Sequence, residues 1–273
     1  MRHYTKEQAI SIVTTCAKEY RKNLADRVLL VVSLDNKLQT SCIELTFDAS
    51  NFLHLTGLKL LETLDSSGKR YKLNSIQFYK RCLDRKLRVQ DFDFSEDGTT
   101  PLKLDVLPAI INSNLSAKMI GDYNSANPKL FTEKLVGNVN ACVGFVATPP
   151  IGRYVPNTVL KVDIRTYAPN WARIAAIFRK DKTDDAYSEI TYKAKNVDWS
   201  MIKYPSKLSY LSTLFHTEQF WLKLWNIKAP KQRTLALFGC FLQFEQPNLA
   251  NNLERSLLLN DKGTFWLFTI SLN

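Results

Sequence analysis

The sequence contains no stretch of about 20 apolar residues, the length that a membrane span requires. Its first residues lead directly into an amphipathic segment and do not form a signal peptide. Its five cysteines are far apart and odd in number, and no Cys-x-x-Cys pair occurs, so a zinc cluster is not expected. These absences predict a cytoplasmic protein with no membrane contact, whose cysteines are buried thiols in a reducing compartment.

The motifs of several enzyme classes are absent as well. No glycine-rich phosphate loop of the Walker or dinucleotide type occurs, and there is no Gly-x-Ser-x-Gly elbow and no His-Glu-x-x-His motif. Three histidines are too few for a histidine-rich metal site, and no pair of carboxylates lies in an obviously buried strand, where it would suggest a two-metal nuclease. We therefore expect chemistry without a metal or a cofactor, using cations, hydroxyl groups and the central histidine, His54.

Positive charge is abundant and concentrated in one window. The chain has a net charge of +11, and residues 69–88 contain eight basic residues and one acidic residue, so this window alone supplies +7. Such a cluster is typical of a surface that binds nucleic acid or another polyanion, although a solvated helix face is the simpler alternative. The candidate nucleic-acid contacts in the window are Lys72, Lys80, Arg81, Arg85, Lys86 and Arg88.

Periodicity predicts helices in the first part of the chain and strands in the middle. An apolar stripe predicts a helix at 5–24, with Thr5 as its N-cap and Gln8 completing a capping box. Further helices are expected at about 75–86 and after 99–101, a β-hairpin at 28–34 and 37–47, and a loop at 58–72. The middle third is predicted to be mostly antiparallel sheet, with strands at 117–123, 130–136, 139–146, 158–167, 173–178 and 188–194.

The character of the sequence changes near residue 196. We therefore divide the chain into a domain at 5–197 and a C-terminal appendage at 198–273. Within the appendage, residues 208–225 are rich in leucine and aromatic residues and suggest an amphipathic helix. The last forty residues are apolar without a clear period, and the sequence indicates no function for them.

His54 follows the second predicted strand and lies beside Thr56 and a turn glycine. Its ordinary pKa is close to neutral pH, so it is the natural proton-transfer group of the chain. Cleavage of RNA suits this inventory, because the 2′-hydroxyl is an internal nucleophile and the protein needs only an acid, a base and cations. A hydrogen-bonded structural histidine is the alternative. Polar residues in short apolar segments are the other candidates: Lys118, Tyr123, Lys161 and Arg165.

Several motifs occur in a fixed order along the chain. They are His-Leu-Thr-Gly at 54–57, Lys-Met-Ile-Gly-Asp-Tyr at 118–123, Lys-Leu-Val-Gly at 134–137 and Pro-Asn-Thr-Val-Leu-Lys at 156–161. As a series, over roughly residues 5–197, they resemble the fourth phage-associated family of the barnase–EndoU–colicin–RelE-like nuclease superfamily. The resemblance implies an α+β fold in which N-terminal helices pack on a small antiparallel sheet. It also implies a metal-independent ribonuclease of the toxin or effector type.

The matching motifs carry the candidate site residues. His54, Thr56, Lys118, Tyr123, Lys161 and Arg165 are the catalytic candidates, and Asn157 and Thr158 join the nucleic-acid contacts, although these two could equally form a turn or a helix cap. The leading hypothesis is an endoribonuclease that acts on RNA and has a cognate antitoxin or immunity protein. The rival hypotheses are a catalytically inactive nucleic-acid-binding module and a phage interaction protein whose basic face contacts an acidic partner.

Overall fold

The structure, a computed structural model, describes residues 3–64, 67–125, 128–149, 152–213, 254–259 and 265–270. Contacts divide the chain into two units, residues 1–214 and 215–273. The first unit contains helices α1 (Lys6–Asn23), α2 (Phe52–Thr56), α3 (Ser75–Leu83) and α4 (Thr99–Ile110). Its strands are β1 (Arg27–Leu34), β2 (Thr40–Thr46), β3 (Leu58–Leu60), β4 (Glu62–Leu64), β5 (Arg70–Lys72), β6 (Phe92–Phe94), β7 (Met119–Asp122), β8 (Lys134–Gly137), β9 (Cys142–Thr148), β10 (Arg153–Leu160), β11 (Ala172–Asp181) and β12 (Glu189–Lys193).

Seven strands close into a barrel. Their order is β1-β2-β10-β9-β8-β7-β11, and β11 pairs with β1 to complete the ring, while β12 extends from β11. All pairings are antiparallel except that of β2 with β10, which is parallel and rests on the single pair Tyr154 and Leu45. The prediction of N-terminal helices packed on a small antiparallel sheet is therefore wrong. The sheet is mixed and closed, and closure depends on long-range pairing that strand patterns do not encode.

Strand β1 explains why the barrel closes. The predicted hairpin with β2 is confirmed, but β1 also pairs with β11 from Arg27↔Asp181 to Leu34↔Arg173. Its centre, Val28–Val32, is buried throughout. Such a continuous apolar run is typical of a strand that is covered on both faces. Alternate residues, Leu29 and Val31, join the main hydrophobic core, and the residues between them face the other side of the sheet.

The helices pack onto this core through their apolar stripes. The predicted cap of α1 is confirmed, because the Thr5 hydroxyl accepts from the Gln8 N–H and the Gln8 side chain accepts from the Thr5 N–H. The same reciprocal pattern, between Asn74 and Gln77, begins α3. Ring contacts then join α1, α2 and α3 into one aromatic cluster, consisting of Tyr20, Phe47, Phe52, Phe78 and Tyr79.

Two connecting segments differ from their predicted structure. The predicted loop at 58–72 contains the short strands β3, β4 and β5, which pair with β6 or with each other. The strand predicted at 158–167 ends at Leu160. The chain then leaves the barrel wall and packs Ile164 and Ala168 against Met119, Leu135 and Cys142 in a separate apolar cluster. This crossing carries the chain from β10 to β11.

Residues 194–213 continue on the first unit. The Tyr204 ring meets Phe178 edge to face at 6.4 Å, and the Tyr210 hydroxyl accepts from the Tyr187 N–H at 2.8 Å. The second unit contains a hairpin of β13 (Glu254–Leu259) and β14 (Phe265–Ile270). The apolar run at 235–244 and residues 214–225 of the helix predicted at 208–225 lie outside the described residues. Within the described part of the chain, no helix combines the length and apolar character that crossing a membrane demands.

Gly137, at the end of β8, is the position where we expect an added methyl group to destabilise the barrel most clearly. A Cβ there would overlap the carbonyl oxygen of Ala141 and the Cα of Cys142, both of them backbone atoms. Overpacking of this kind costs about 1–3 kcal/mol, so Gly137→Ala should lower the free energy of unfolding by about that amount in urea denaturation. Gly98→Asn is the control, because Gly98 has a φ of +70° and open space around it, a backbone region that asparagine tolerates. Equal stability of the two variants would contradict the close approach.

Candidate nucleic-acid interface

His54 lies in the short helix α2 and not at a strand end. A 3-10 turn at Ala49–Asn51 leads into this helix, and Gly57 ends it with a φ of +71°. The His54 side chain is exposed, and its backbone carbonyl accepts a hydrogen bond from the Lys103 ammonium at 3.1 Å. Among the described residues its imidazole has no hydrogen-bond partner. The ring is therefore accessible to a bound molecule.

Thr56 is buried and its hydroxyl is fully engaged. The hydroxyl donates to the Leu53 carbonyl at 2.8 Å and accepts from the Leu58 N–H at 3.2 Å. These two bonds bridge the end of α2 and the start of β3. The side chain thus shapes the turn that follows His54, and its oxygen is not presented to solvent.

Lys118 and Tyr123 flank opposite ends of β7. The Lys118 ammonium is exposed and lies 3.9 Å from the centre of the Tyr192 ring, a cation–π contact. The Tyr123 hydroxyl donates to the Pro128 carbonyl, and its ring packs against Tyr167. Because five residues separate them along a strand, the two side chains also point to opposite faces of the sheet.

Lys161 and Arg165 both have carboxylate partners. Lys161 contacts Asp105 of α4 at 2.7 Å, and Asp105 also accepts from the Tyr4 hydroxyl. Arg165 is exposed and forms a forked ion pair with Asp163, two residues before it. A phosphate group would have to compete with these carboxylates. That competition is easiest at Arg165, where the pair lies on the surface.

No hydrogen bond, ion pair or ring contact joins any two of the six catalytic candidates within the described part of the chain. The His54 carbonyl contacts Lys103 of α4, and the Lys161 ammonium contacts Asp105 of the same helix. Lys103 and Asp105 point roughly 200° apart around α4. Lys161 and Lys118 lie at the same rim of the barrel, each next to the end of a strand. Three successive strand pairings lie between them, Leu160↔Cys142, Cys142↔Gly137 and Gly137↔Met119. Three strand spacings correspond to roughly 14 Å. Their roles in catalysis stay predictions.

Asn157 and Thr158 lie in β10 beside a β-bulge, where the pairing with β9 shifts register. Asn157 accepts from the Thr132 hydroxyl at 3.2 Å and donates to the Phe131 carbonyl. Thr158 is 8% exposed, and its methyl group fills the space above Gly144. Asn157 thus ties β10 to the segment before β8, whereas Thr158 is a wall residue of the barrel.

The basic window forms one continuous part of the surface. It comprises the β4–β5 hairpin, α3 and the turn after α3. Helix α3 ends at Leu83 and not at residue 86 as predicted. We call its six predicted contacts the basic surface: Lys72, Lys80, Arg81, Arg85, Lys86 and Arg88. An open cavity of about 290 Å³ lies within it, lined by Tyr71, Lys72, Leu73, Gln77, Lys80 and Arg81.

A buried carboxylate organises the basic surface. Asp91 is completely buried, and it accepts from Arg81 at 2.8 Å, from Arg88 at 3.0 Å and from the Tyr71 hydroxyl at 2.9 Å. Both guanidinium groups also lie over the Tyr71 ring, at 5.2 and 5.6 Å from its centre. Two positive charges against one negative charge leave an excess cation at the surface. Sequence patterns indicated the arginines but not Tyr71 or Asp91.

A second polar cluster was missed entirely. Glu44 of β2, Arg153 of β10 and Tyr187 of the β11–β12 connection meet on the face of the sheet opposite to the main hydrophobic core, with Lys180 beside them. The members are 109 and 143 residues apart in sequence, so no local pattern connects them. Within the described ranges, no three His, Cys, Asp or Glu side chains are grouped in a way that could hold a metal ion.

Comparison with known proteins gives the class and then the family. The chain belongs to a class of phage-associated, nuclease-like proteins. Its family is the phage-Barnase-EndoU-ColicinE5/D-RelE like nuclease4 family, whose model matches residues 12–196, more than half of the chain. The resemblance drawn from the ordered motifs is thereby confirmed. No curated protein and no solved structure shows a significant match.

Asp91→Ala should destabilise the protein strongly, since it leaves two partly buried arginines without their counter-ion. Breaking a buried ion pair by removing one partner costs about 3–5 kcal/mol, which urea denaturation would measure. Glu96→Ala is the matched control, because Glu96 pairs with Lys59 but is 88% exposed, and it should change stability very little. Wild-type stability in Asp91→Ala would show that the carboxylate does not organise the basic surface.

Proposed function

We propose that this protein is a metal-independent endoribonuclease of a toxin or phage–host conflict system. It cleaves RNA by attack of the 2′-hydroxyl on the adjacent phosphorus and leaves a 2′,3′-cyclic phosphate. Membership of a phage-associated nuclease family is the observation that carries the proposal. The basic surface, with its cations mounted around a buried carboxylate, supports RNA as the substrate.

The reaction requires little from the protein beyond proton transfer and charge stabilisation. A bond forms between the 2′-oxygen and phosphorus, and the bond from phosphorus to the 5′-oxygen breaks. A base accepts the 2′-hydroxyl proton, the leaving oxygen gains a proton, and cations stabilise the charge on the phosphorane. The chain supplies a carboxylate, an exposed imidazole and many cations, so these steps need no metal ligand set.

The basic surface would bind the RNA backbone. Lys72, Lys80, Arg85 and Lys86 are exposed, whereas Arg81 and Arg88 are held by Asp91. Fixed guanidinium groups lose little conformational entropy when they bind phosphate. The exposed lysines add electrostatic attraction that depends on salt. We therefore expect this surface to determine affinity and to contribute little to the choice of sequence.

Removal of three cations from the basic surface should weaken RNA binding and its salt dependence. Each phosphate contact on a single strand contributes about 0.7 to the slope of log affinity against log salt. The triple variant Lys80→Gln, Arg85→Gln, Lys86→Gln should thus lower the slope by about 2 in fluorescence anisotropy titrations. The control variant Lys18→Gln, Lys37→Gln, Lys207→Gln removes the same charge from exposed positions elsewhere. Equal losses in both variants would mean that net charge, and not this surface, attracts RNA.

His54 is the first proton-transfer group to test, because its imidazole is exposed. Purified protein should cleave bulk RNA in EDTA and leave cyclic phosphate ends. If His54 is the acid or base, His54→Ala should cleave at least about 100-fold more slowly. His3→Ala, which also removes an exposed imidazole, should cleave at the normal rate. Intact RNA after incubation with the wild type would refute the proposal, and normal cleavage by His54→Ala would exclude His54 alone.

A further inference from the structure

The cluster around Glu44 lies where three separate parts of the first unit meet. Glu44 is on the face of β2 opposite to the core residue Leu45, and it pairs with Leu30 of β1. The pairing of Leu45 with Tyr154 brings the start of β10 next to it. The connection between β11 and β12 supplies Tyr187 from the other side. The cluster thus exists only because the barrel is closed.

Both carboxylate oxygens of Glu44 are engaged. The Tyr187 hydroxyl donates to Oε1 at 2.5 Å, and Nε of Arg153 donates to Oε2 at 2.7 Å. The Lys180 ammonium lies 5.0 Å from the centre of the Tyr187 ring and donates to the Asp185 carbonyl. The carboxylate is therefore held at a fixed position between a phenol and a guanidinium group.

Burial within the cluster is graded. Tyr187 is 3% exposed and Lys180 is 9% exposed, whereas the side chains of Glu44 and Arg153 are 30% and 29% exposed. A bound molecule could therefore reach the carboxylate and the guanidinium group from solvent, with the tyrosine and lysine forming the layer beneath. Burying an ammonium group is costly unless a negative charge offsets it. Among the described residues Lys180 has no carboxylate within ion-pair distance, although Glu44 lies close enough to interact with it electrostatically.

The charges leave room for one anion. Arg153 and Lys180 carry two positive charges and Glu44 carries one negative charge, so the cluster has a net charge of +1. A phosphodiester carries a single negative charge and offers two oxygens as hydrogen-bond acceptors. It matches both the excess charge and the donors of Arg153.

The surroundings keep Glu44 ionised. Burial raises the pKa of its carboxyl group, but the hydrogen bonds from Tyr187 and Arg153 and the charges of Arg153 and Lys180 lower the pKa by more. Burial and the bond to Glu44 raise the pKa of Tyr187, which therefore stays a neutral donor. The other titratable groups nearby are Tyr210, which accepts from the Tyr187 N–H, and Cys42, whose pKa burial raises to about 11.

We infer that Arg153 binds the reacting phosphodiester of a single-stranded RNA beside Glu44, which acts as the base, while Lys180 contributes positive charge from the layer beneath. This inference rests on the proposed ribonuclease function. Glu44 accepts the 2′-hydroxyl proton as the 2′-oxygen attacks phosphorus, and Arg153 and Lys180 stabilise the phosphorane charge. The 5′-oxygen leaves with a proton from water, and Glu44 then releases its proton to water. Tyr187 is a positioning residue, because it orients the carboxylate without reaching the phosphate.

Cleavage and binding are measured separately to test this site. The rate of RNA cleavage in EDTA tests the role of Glu44 as the base. Calorimetric titration with a 2′-deoxy dinucleotide, which lacks the nucleophile, measures affinity for the phosphate site. Glu44→Gln should reduce cleavage at least about 100-fold and retain dinucleotide binding. Arg153→Gln should weaken dinucleotide binding about tenfold. Lys18→Gln, at an exposed position on α1 outside both polar regions, is the matched control and should leave binding of this short probe unchanged.

Tyr187→Phe separates positioning from a merely structural role. Loss of its hydrogen bond raises the pKa of Glu44, so more acid remains protonated as the pH falls. Activity that needs the ionised carboxylate should then decline at a higher pH than in the wild type. An unchanged acid limb in the pH profile of cleavage would overturn the role of Tyr187. Circular dichroism establishes that each variant is folded, and Arg153→Lys replaces Arg153→Gln if the latter unfolds.

The outcomes distinguish this inference from the proposed function. If the wild type cleaves RNA and Glu44→Gln cleaves equally well, the base assignment is wrong while the ribonuclease function stands. If the wild type does not cleave RNA, the ribonuclease proposal fails, and weaker dinucleotide binding by Arg153→Gln would still support the phosphate site. Wild-type dinucleotide binding by a folded Arg153→Gln or Arg153→Lys variant would overturn the site.

Discussion

Strand β1 is paired along its length on both sides, with β2 and with β11, and the latter pairing closes the barrel. The ladder joins residues 27–34 to residues 173–181, so most of the sequence of the first unit lies between its two strands. Pairing over such a separation requires a long chain segment to become ordered before the contact forms. In return, closure leaves β1 and β11 without a free edge. It also places Lys180 and Tyr187 beside β2, which makes the Glu44 cluster a consequence of closure.

Two buried charged residues among the described residues of the first unit, Asp91 and Lys180, have their charges compensated in different ways. Asp91 is completely buried and has two arginines and a tyrosine as donors, so its charge is compensated in place. Lys180 is almost as deeply buried, but within the described residues its ammonium donates to a carbonyl, lies over the Tyr187 ring and has a carboxylate at longer range. Incomplete compensation of a buried charge is unfavourable for stability. Sites that bind a charged ligand accept this cost, because the ligand supplies the missing charge.

Local patterns in the sequence predicted local structure well. The capping box at Thr5, the hairpin of β1 and β2, and most middle strands follow from periodicity and turn chemistry over a few residues. Closure could not be predicted in this way, because the run Val28–Val32 fits a buried strand in an open sheet equally well. The end of β10 was misplaced for a related reason. Residues 162–167 are apolar at intervals because Val162, Ile164 and Tyr167 pack against one face of β7–β9, and this spacing resembles the alternation of a strand.

The parts of the candidate site also differ in how far they could be predicted, according to whether their residues are close together or far apart in the sequence. The residues of the basic surface lie in one window of the sequence, so the charge of that window predicted the surface. The carboxylate that holds two of its arginines, Asp91, was not predicted. The Glu44 cluster combines residues from β2, β10 and the β11–β12 connection, and each looks unremarkable alone. His54 stood out as an isolated residue type, and its carbonyl contacts Lys103, which its motif series does not include.

Affinity and chemistry have different structural requirements, and under the proposed function the basic surface would supply the first and the Glu44 cluster the second. The basic surface consists of two arginines held by Asp91 and of four exposed cations, Lys72, Lys80, Arg85 and Lys86, and salt screens exposed charges of this kind. Such contacts stabilise bound RNA and the transition state equally, so they change KM and leave kcat untouched. The groups around Glu44 are partly withdrawn from water, where charge–charge interactions are stronger and geometry is fixed. Only a site of that kind can stabilise the phosphorane more than the substrate. We therefore expect substitutions in the barrel wall to change kcat, and not substitutions in the helix that carries most of the charge.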